Sequence, residues 1–403
     1  MDIPTPPTDV DVDTDISRGR PRKRKSCLGQ YSPRPGHKHA KMDNTTPQHS
    51  APALPPPFSR AYTISPERRA RSRSTSPVKQ KDSLRKGSPS TILSMSKADI
   101  PTGPAAEARK LLVEATKHRF LPESLREKIS SSDADEFQLA DDLFDSDLPD
   151  TDLAQLQAIC ENASDCSDDG QDEAAWCEIA SSMLRLAIQP RSQDFELMDI
   201  RSQAPASIWL PFADSSHTGD SDARIPAKKS DFSLAFHRKS DRVKALNSIS
   251  QLPGTNDSLA LSHSVDRFAS KLPLQCTVEV KREGGDHLDA RTQIGTWHSA
   301  ALCHAKYLTT TAGGQLPTFA SLEKIVHLGW VVVGHKWEPF LTFPMPSGEH
   351  LSVGPVLRVD MGTIDLVSAY RLLSALRSQT KWLLEEYWPV FERAYSDAIA
   401  RLQ

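Results

Sequence analysis

Glu279 and Lys281 stand two residues apart in the run LQCTVEVKREGG, residues 274–285. Side chains two apart on a β-strand point to one face, so the carboxylate and the ammonium share a side while Val278 and Val280 share the other. The valines suit a core. The charged pair is then either a solvated ion pair on an edge strand or the two poles of a site. A second chemical feature is SRGRPRKRKS, residues 17–26, a dense run of cations suited to polyanions. The six cysteines, Cys27, Cys160, Cys166, Cys177, Cys276 and Cys303, form no CxxC pair and match no common zinc spacing.

The elements that must position these groups follow from periodicity. A helix is expected at Asp172–Ile188, where Trp176, Ala180, Met183 and Ala187 recur at helical spacing and Asp172 and Glu173 favour its N-terminal end. Shorter helical text runs from Ala105 and from Leu153 to Cys160. Strands are expected at Ser207–Phe212, Ser230–Phe236 and Cys276–Arg282, with an irregular polar connection over residues 238–273. An amphipathic helix follows at Asp286–Leu308, burying Ala290, Ile294, Trp297, Ala301 and Leu308. Two more strands flank a turn at Gly334-His335, and a long helix from Asp365 is interrupted at Pro389. Helices interleaved with strands predict an α/β domain on one sheet.

With these elements in order, the chain resembles the PD-(D/E)XK nuclease superfamily, and more narrowly its fungal nuclease-like domains. The resemblance rests on Glu173 to Trp176 (EAAW), Asp231-Phe232 opening a strand, Glu279 to Lys281 (E-x-K), Gln293 to Trp297 (Q-x-G-x-W) and Tyr387 to Phe391 (YWP-x-F). Ser230 stands where the motif has proline. The resemblance implies a restriction-endonuclease-like core, a central mixed sheet flanked by helices. It also implies a Mg²⁺-dependent nuclease, with Mn²⁺ as a substitute ion.

In that reading Asp231, Glu279, Lys281 and Gln293 are catalytic, and Asp231, Glu279, the Val280 carbonyl and Glu173 hold the metal. Carboxylate and carbonyl oxygens are the hard ligands Mg²⁺ takes, Lys281 prepares the water, and Gln293 holds the water or a phosphate. Glu173 has the alternative role of a simple helix-terminal charge. The long interval between Asp231 and Glu279 leaves Asp241 and Asp266 as alternative acids. The rival reading is a catalytically inactive DNA-binding or chromatin-associated scaffold on the same fold.

The net charge of −3 hides two opposed blocks. Residues 17–97 carry 19 Lys and Arg against three acids, whereas residues 130–173 carry 15 acids and no Lys or Arg. Residues 1–104, rich in Pro, Ser, Lys and Arg, are expected to be a disordered arm. Residues 105–152 are read as helical text followed by an acidic spacer, and 153–403 as the nuclease-like domain. Arg18, Gly19, Arg20, Pro21, Arg22, Lys23, Arg24 and Lys25 resemble an AT-hook, whose Arg-Gly-Arg core lies in an A·T minor groove. The same run satisfies a nuclear-import signal. Ser-Pro pairs at Ser32, Ser65, Ser76 and Ser88 punctuate the arm. No apolar leader or 18-residue apolar run occurs, which with the cysteine pattern predicts a soluble protein of a reducing compartment. Its expected partners are nucleic acid, DNA first, and the import machinery, and its expected location is the nucleus.

Overall fold

A computed structural model describes residues 76–100, 103–128, 140–214, 222–251, 258–310 and 322–402. In chain order the main helices are α1 (Pro77–Lys86), α2 (Pro104–Lys117), α3 (Leu153–Asp168), α4 (Glu173–Ile188), α5 (Asp241–Ile249), α6 (His287–Thr309), α7 (Leu366–Trp382) and α8 (Trp388–Leu402). The strands are β1 (Thr91–Ser94), β2 (Leu121–Pro122), β3 (Phe144–Asp145), β4 (Phe195–Asp199), β5 (Phe232–Phe236), β6 (Leu274–Lys281), β7 (His327–Val333), β8 (Lys336–Pro344) and β9 (His350–Val353).

Seven strands form one mixed sheet in the order β1-β9-β8-β7-β6-β5-β4, with β6–β7 and β1–β9 parallel. A parallel neighbour requires a crossover, and α6 supplies it between β6 and β7. This is the mixed sheet flanked by helices that the sequence predicts. Ala290 and Ile294 of α6 pack on Val331 and Phe340 on one face. On the other, Val278, Val280, Trp330, Val332 and Trp337 join the large core that also contains α4 and α7. The Trp330 indole N–H crosses to Gln379 Oε1 of α7 at 2.7 Å.

β6 carries one residue too many for its partner. Phe232 pairs with Val278 and Ser233 with Thr277, but Leu234 pairs with Gln275, leaving Cys276 as a bulge at φ +57°. The Gln275 side chain fills the gap in the ladder, its Oε1 accepting the N–H groups of Cys276 at 2.9 Å and Leu328 at 3.3 Å. Gly329 opposite Thr277 leaves room for α6, because a Cβ there would stand 2.7 Å from His298 Cε1.

Several expected boundaries move. Regular structure starts well before residue 104, since α1 buries Leu84 against Ala300 and Trp209, and β1 pairs with β9. One amphipathic turn is enough to dock a helix, and a composition averaged over a hundred residues conceals it. Ser76 caps α1, and Ser88 bridges to Phe212. Ser32 and Ser65 lie outside the described residues. The division at residue 153 dissolves as well, because Ala105, Ala108 and Leu112 of α2 share one core with α3, α4 and α7.

The strand expected at 207–212 is a short 3-10 turn, Ser207–Trp209, followed by Pro211, which cannot donate to a ladder. The edge strand is β4 instead, upstream at Phe195–Asp199. The connection expected to be irregular contains α5, capped by Ser240 Oγ accepting from Val243 N. Pro389 ends nothing, for it occupies the first turn of α8, where a missing N–H is tolerated. The irregularity comes just before it, as a π-helical segment at Leu383–Tyr387.

Candidate active site

The pair that opened the sequence reading is buried. Glu279 is 2 % exposed and Lys281 8 %, which removes the solvated edge pair as an explanation. Lys281 Nζ lies 2.8 Å from Glu279 Oε1, 3.5 Å from Asp289 Oδ2 and 3.6 Å from Glu173 Oε2. Ser230 Oγ stands 2.9 Å from Glu279 Oε2. Asp231, 8 % exposed, accepts the Val280 N–H on Oδ2 at 2.7 Å.

Each element contributes for a local reason. Asp231 precedes β5 by one residue, so the antiparallel register that pairs Phe232 with Val278 leads it alongside Glu279. The long insertion between them is therefore spanned, and the alternative acids go elsewhere. Asp241 is exposed and pairs with Lys244, while Asp266 accepts the N–H groups of Phe268 and Ala269. The Gly284-Gly285 break also has a cause, since a Cβ on Gly285 would lie 2.7 Å from Lys281 Cβ. The bare backbone lets the chain fold back over the lysine into α6, whose Asp286 cap accepts the N–H groups of Leu288 and Asp289.

Main-chain groups of alternate strand residues point to opposite edges. The Val278 carbonyl accepts from Asp231 N at 3.2 Å, and the Lys281 carbonyl from Gly334 N on the β7 side at 3.0 Å. The Val280 carbonyl therefore faces the Asp231 side, just past the end of β5. Gln293 lies one turn after Asp289 on the same side of α6, and its buried Oε1 has no hydrogen-bond partner. Glu173, expected among the metal ligands, reaches the Lys281 ammonium. Sequence reading missed Asp289, Ser230 and Lys228, whose Nζ lies 3.4 Å from Asp289 Oδ1. Helical spacing back from Gln293 points to Asp289, and proximity to Asp231 points to the other two.

The electrostatics are strained in one direction. Burial raises the Asp231 carboxyl from its ordinary 3.8 to about 6, against the opposing pull of the Val280 N–H and Lys281. Burial and then Asp231 drive Glu279 well above the usual carboxylate range. Burial works against the Lys281 ammonium too, yet Glu279, Glu173 and Asp289 outweigh it and hold its pKa above the ordinary value. Four carboxylates face two ammonium groups, Lys281 and Lys228. Two of these carboxyls, Asp231 and Glu279, are pushed toward their neutral forms, and a divalent cation beside them is the charge that would hold both ionised.

The donor set fits such an ion. Asp231, just before β5, and Glu279 and the Val280 carbonyl, at the end of β6, offer hard oxygens where the two strands meet. Among the described residues no three His, Cys, Asp or Glu side chains form a metal-binding group, so solvent or substrate oxygens would complete the shell, as is usual for Mg²⁺. The run Arg18 to Lys25 lies outside the described residues. No helix among them is long and apolar enough to cross a membrane.

Residues 122–388 match the family described as the PD-(D/E)XK nuclease superfamily. The match begins at β2 and ends at the start of α8, so it takes in Glu173, Asp231, Glu279, Lys281, Asp289 and Gln293. No curated protein and no solved structure matches the chain.

Proposed function

The chain belongs to the PD-(D/E)XK nuclease superfamily, and from that membership we propose that it is a Mg²⁺-dependent nuclease acting on DNA in the nucleus. The observation that carries the reading is the buried meeting of Asp231 and Glu279 beside Lys281, at the one place where a long insertion had put their pairing in question. Members of this superfamily generally use divalent metal ions. Asp231, Glu279 and the Val280 carbonyl would hold Mg²⁺, which supplies Lewis-acid stabilisation of charge on the transferring phosphoryl group.

The protein's own groups do the rest. Lys281, fixed by three carboxylates, stays protonated and presents N–H donors that orient an attacking water. Gln293 Oε1 lacks a donor in the folded chain and accepts one from that water. Arg18 to Lys25 add polyanion affinity from the arm and serve nuclear import.

Both oxygens of Glu279 already have partners in Ser230 and Lys281, and this favours the scaffold reading, in which the cluster only ties β5 to β6. Incubating the 403-residue protein with single- and double-stranded DNA and RNA, with Mg²⁺, Mn²⁺ or EDTA, separates the two. Metal-dependent cleavage of DNA is expected. A protein that binds DNA but neither cleaves it nor binds Mg²⁺ is a scaffold.

A further inference from the structure

A cavity lies beyond the other end of α4. It has a volume of about 370 Å³ and is enclosed by the end of α2, β2, the turn before α3 and the middle of α7. Arg191 on its wall follows α4, about 25 Å along the helix axis from Glu173 at 1.5 Å per residue. It is thus separate from the site at β6.

Four cations, Arg119, Arg191, Arg377 and Lys381, line this cavity against a single carboxylate, Asp152. That carboxylate is already engaged, gripped by Arg377 through both Nη atoms at 2.7 and 3.0 Å. Arg191 is pinned by Nη1 to Thr380 Oγ1 at 3.1 Å and to the Arg377 carbonyl at 3.4 Å. His118, also on the wall, pairs with Asp142 outside it at 2.7 Å. Of the other three cations Arg191 is half-buried, and Arg119 and Lys381 are exposed at the rim.

Two further observations point to a ligand. Tyr370 is 3 % exposed, lines the cavity, and carries a buried hydroxyl with no hydrogen-bond partner, as does Arg377 Nε. A buried donor without an acceptor costs free energy, and every acceptor a phosphate offers would relieve it. Burial, with Asp152 and Asp150 nearby, raises the Tyr370 pKa, so the hydroxyl keeps its proton to donate. Arg119 is held at φ +52°, left-handed backbone that is costly for a residue with a Cβ and that collects at ligand sites.

We infer that this cavity binds a phosphate group, with the Tyr370 hydroxyl and Arg377 Nε donating to its oxygens and Arg119, Arg191 and Lys381 balancing its charge. Donors arriving from the turn after α2, from α7 and from the turn after α4 approach from three sides, which suits the several oxygens of a phosphate. The phosphate comes either from the end of a nucleic-acid strand or from a free phosphate. The inference does not rest on nuclease activity.

The test is calorimetric titration of the full-length protein at fixed ionic strength. The probes are inorganic phosphate and one oligonucleotide with a 5′-phosphate or a 5′-hydroxyl. Saturable phosphate binding is expected. Tyr370→Phe should weaken it roughly tenfold, the value of one hydrogen bond to a charged group, while the melting temperature holds or rises because an orphaned hydroxyl is gone. Lys381→Gln, at an exposed position, should weaken it without unfolding anything. A Tyr370-dependent preference for the 5′-phosphorylated strand assigns the site to strand ends. Inorganic phosphate binding without that preference assigns it to free phosphate. Phosphate affinity equal in wild type, Tyr370→Phe and Lys381→Gln overturns the inference, as does the absence of saturable binding.

Discussion

Asp231→Asn should make the protein more stable while abolishing its chemistry. In metal-free buffer the Asp231 carboxyl rises from 3.8 unfolded to about 6 folded. A raised carboxyl penalises the fold wherever the unfolded chain is ionised. The folded state holds the extra proton between about pH 4 and 6, so stability falls as pH rises through that window and the full penalty is present above it. Two pKa units correspond to about 3 kcal/mol. Asparagine removes the charge but keeps an oxygen for the Val280 N–H, at a cost of about 1 kcal/mol for the weaker bond. The net gain is then about 2 kcal/mol at pH 7.5, shrinking toward pH 4. Urea unfolding in EDTA from pH 4 to 8 measures it. Cleavage with Mg²⁺ should fall at least about a hundredfold, since the ligand serves the charged transition state. A variant destabilised at pH 7.5, or one whose difference from wild type ignores pH, would refute the reasoning.

Three other outcomes follow from the same geometry. Glu279→Gln should fold, because Lys281 keeps Asp289 and Glu173, and should lose both cleavage and Mg²⁺ affinity; Lys281→Ala should instead lose roughly 3–5 kcal/mol by stranding buried Glu279. Undiminished cleavage by either variant sinks the mechanism. Gly329→Ala should cost about 1–3 kcal/mol in urea unfolding, because its Cβ meets His298 and the Thr277 carbonyl at 2.7 and 3.0 Å, and a neutral result would mean that α6 yields there. Replacing Arg18 and Arg20 by Ala should reduce salt-sensitive binding to A·T-rich duplexes in a fluorescence titration, and equal binding to A·T and G·C before and after would leave only the import role.

The parts of the fold that depend on a single element were legible in the sequence. α4 and α6 read correctly because apolar residues from Trp176 to Ala187 and from Ala290 to Leu308 recur at helical spacing, although α6 is buried on every side from Ile294 to Leu302. Glu279 and Lys281 read correctly because period 2 fixes their shared face. Parts that depend on distant packing did not read. β1 is only four residues, Thr91–Ser94, too short to read as a strand until β9 receives it, and Trp209 looks like strand until His304 holds its ring at 5.0 Å. Asp289 is one more acid in a helix's first turn, where the macrodipole alone would explain it. Only the position of Lys281 gives it a task.

Cys276 shows where the active arrangement is encoded. A strand has two phases, and β6 changes phase at this residue. Continued without the bulge, the register of Leu234 with Gln275 would bring Asp231 opposite Val278 and put Glu279 a step out of line. One extra backbone residue in β6 thus decides whether the two carboxylates meet. Loop length is irrelevant to this, because the register of β5 on β6 is set within the strands. Substitution at 276 leaves the count of residues intact, and glycine would suit the left-handed backbone better than cysteine does. Deletion changes the count. Point substitutions at Cys276, 1 % exposed in the core, would report how the new side chain packs, while deletion of the residue would be as damaging as the loss of Glu279 itself.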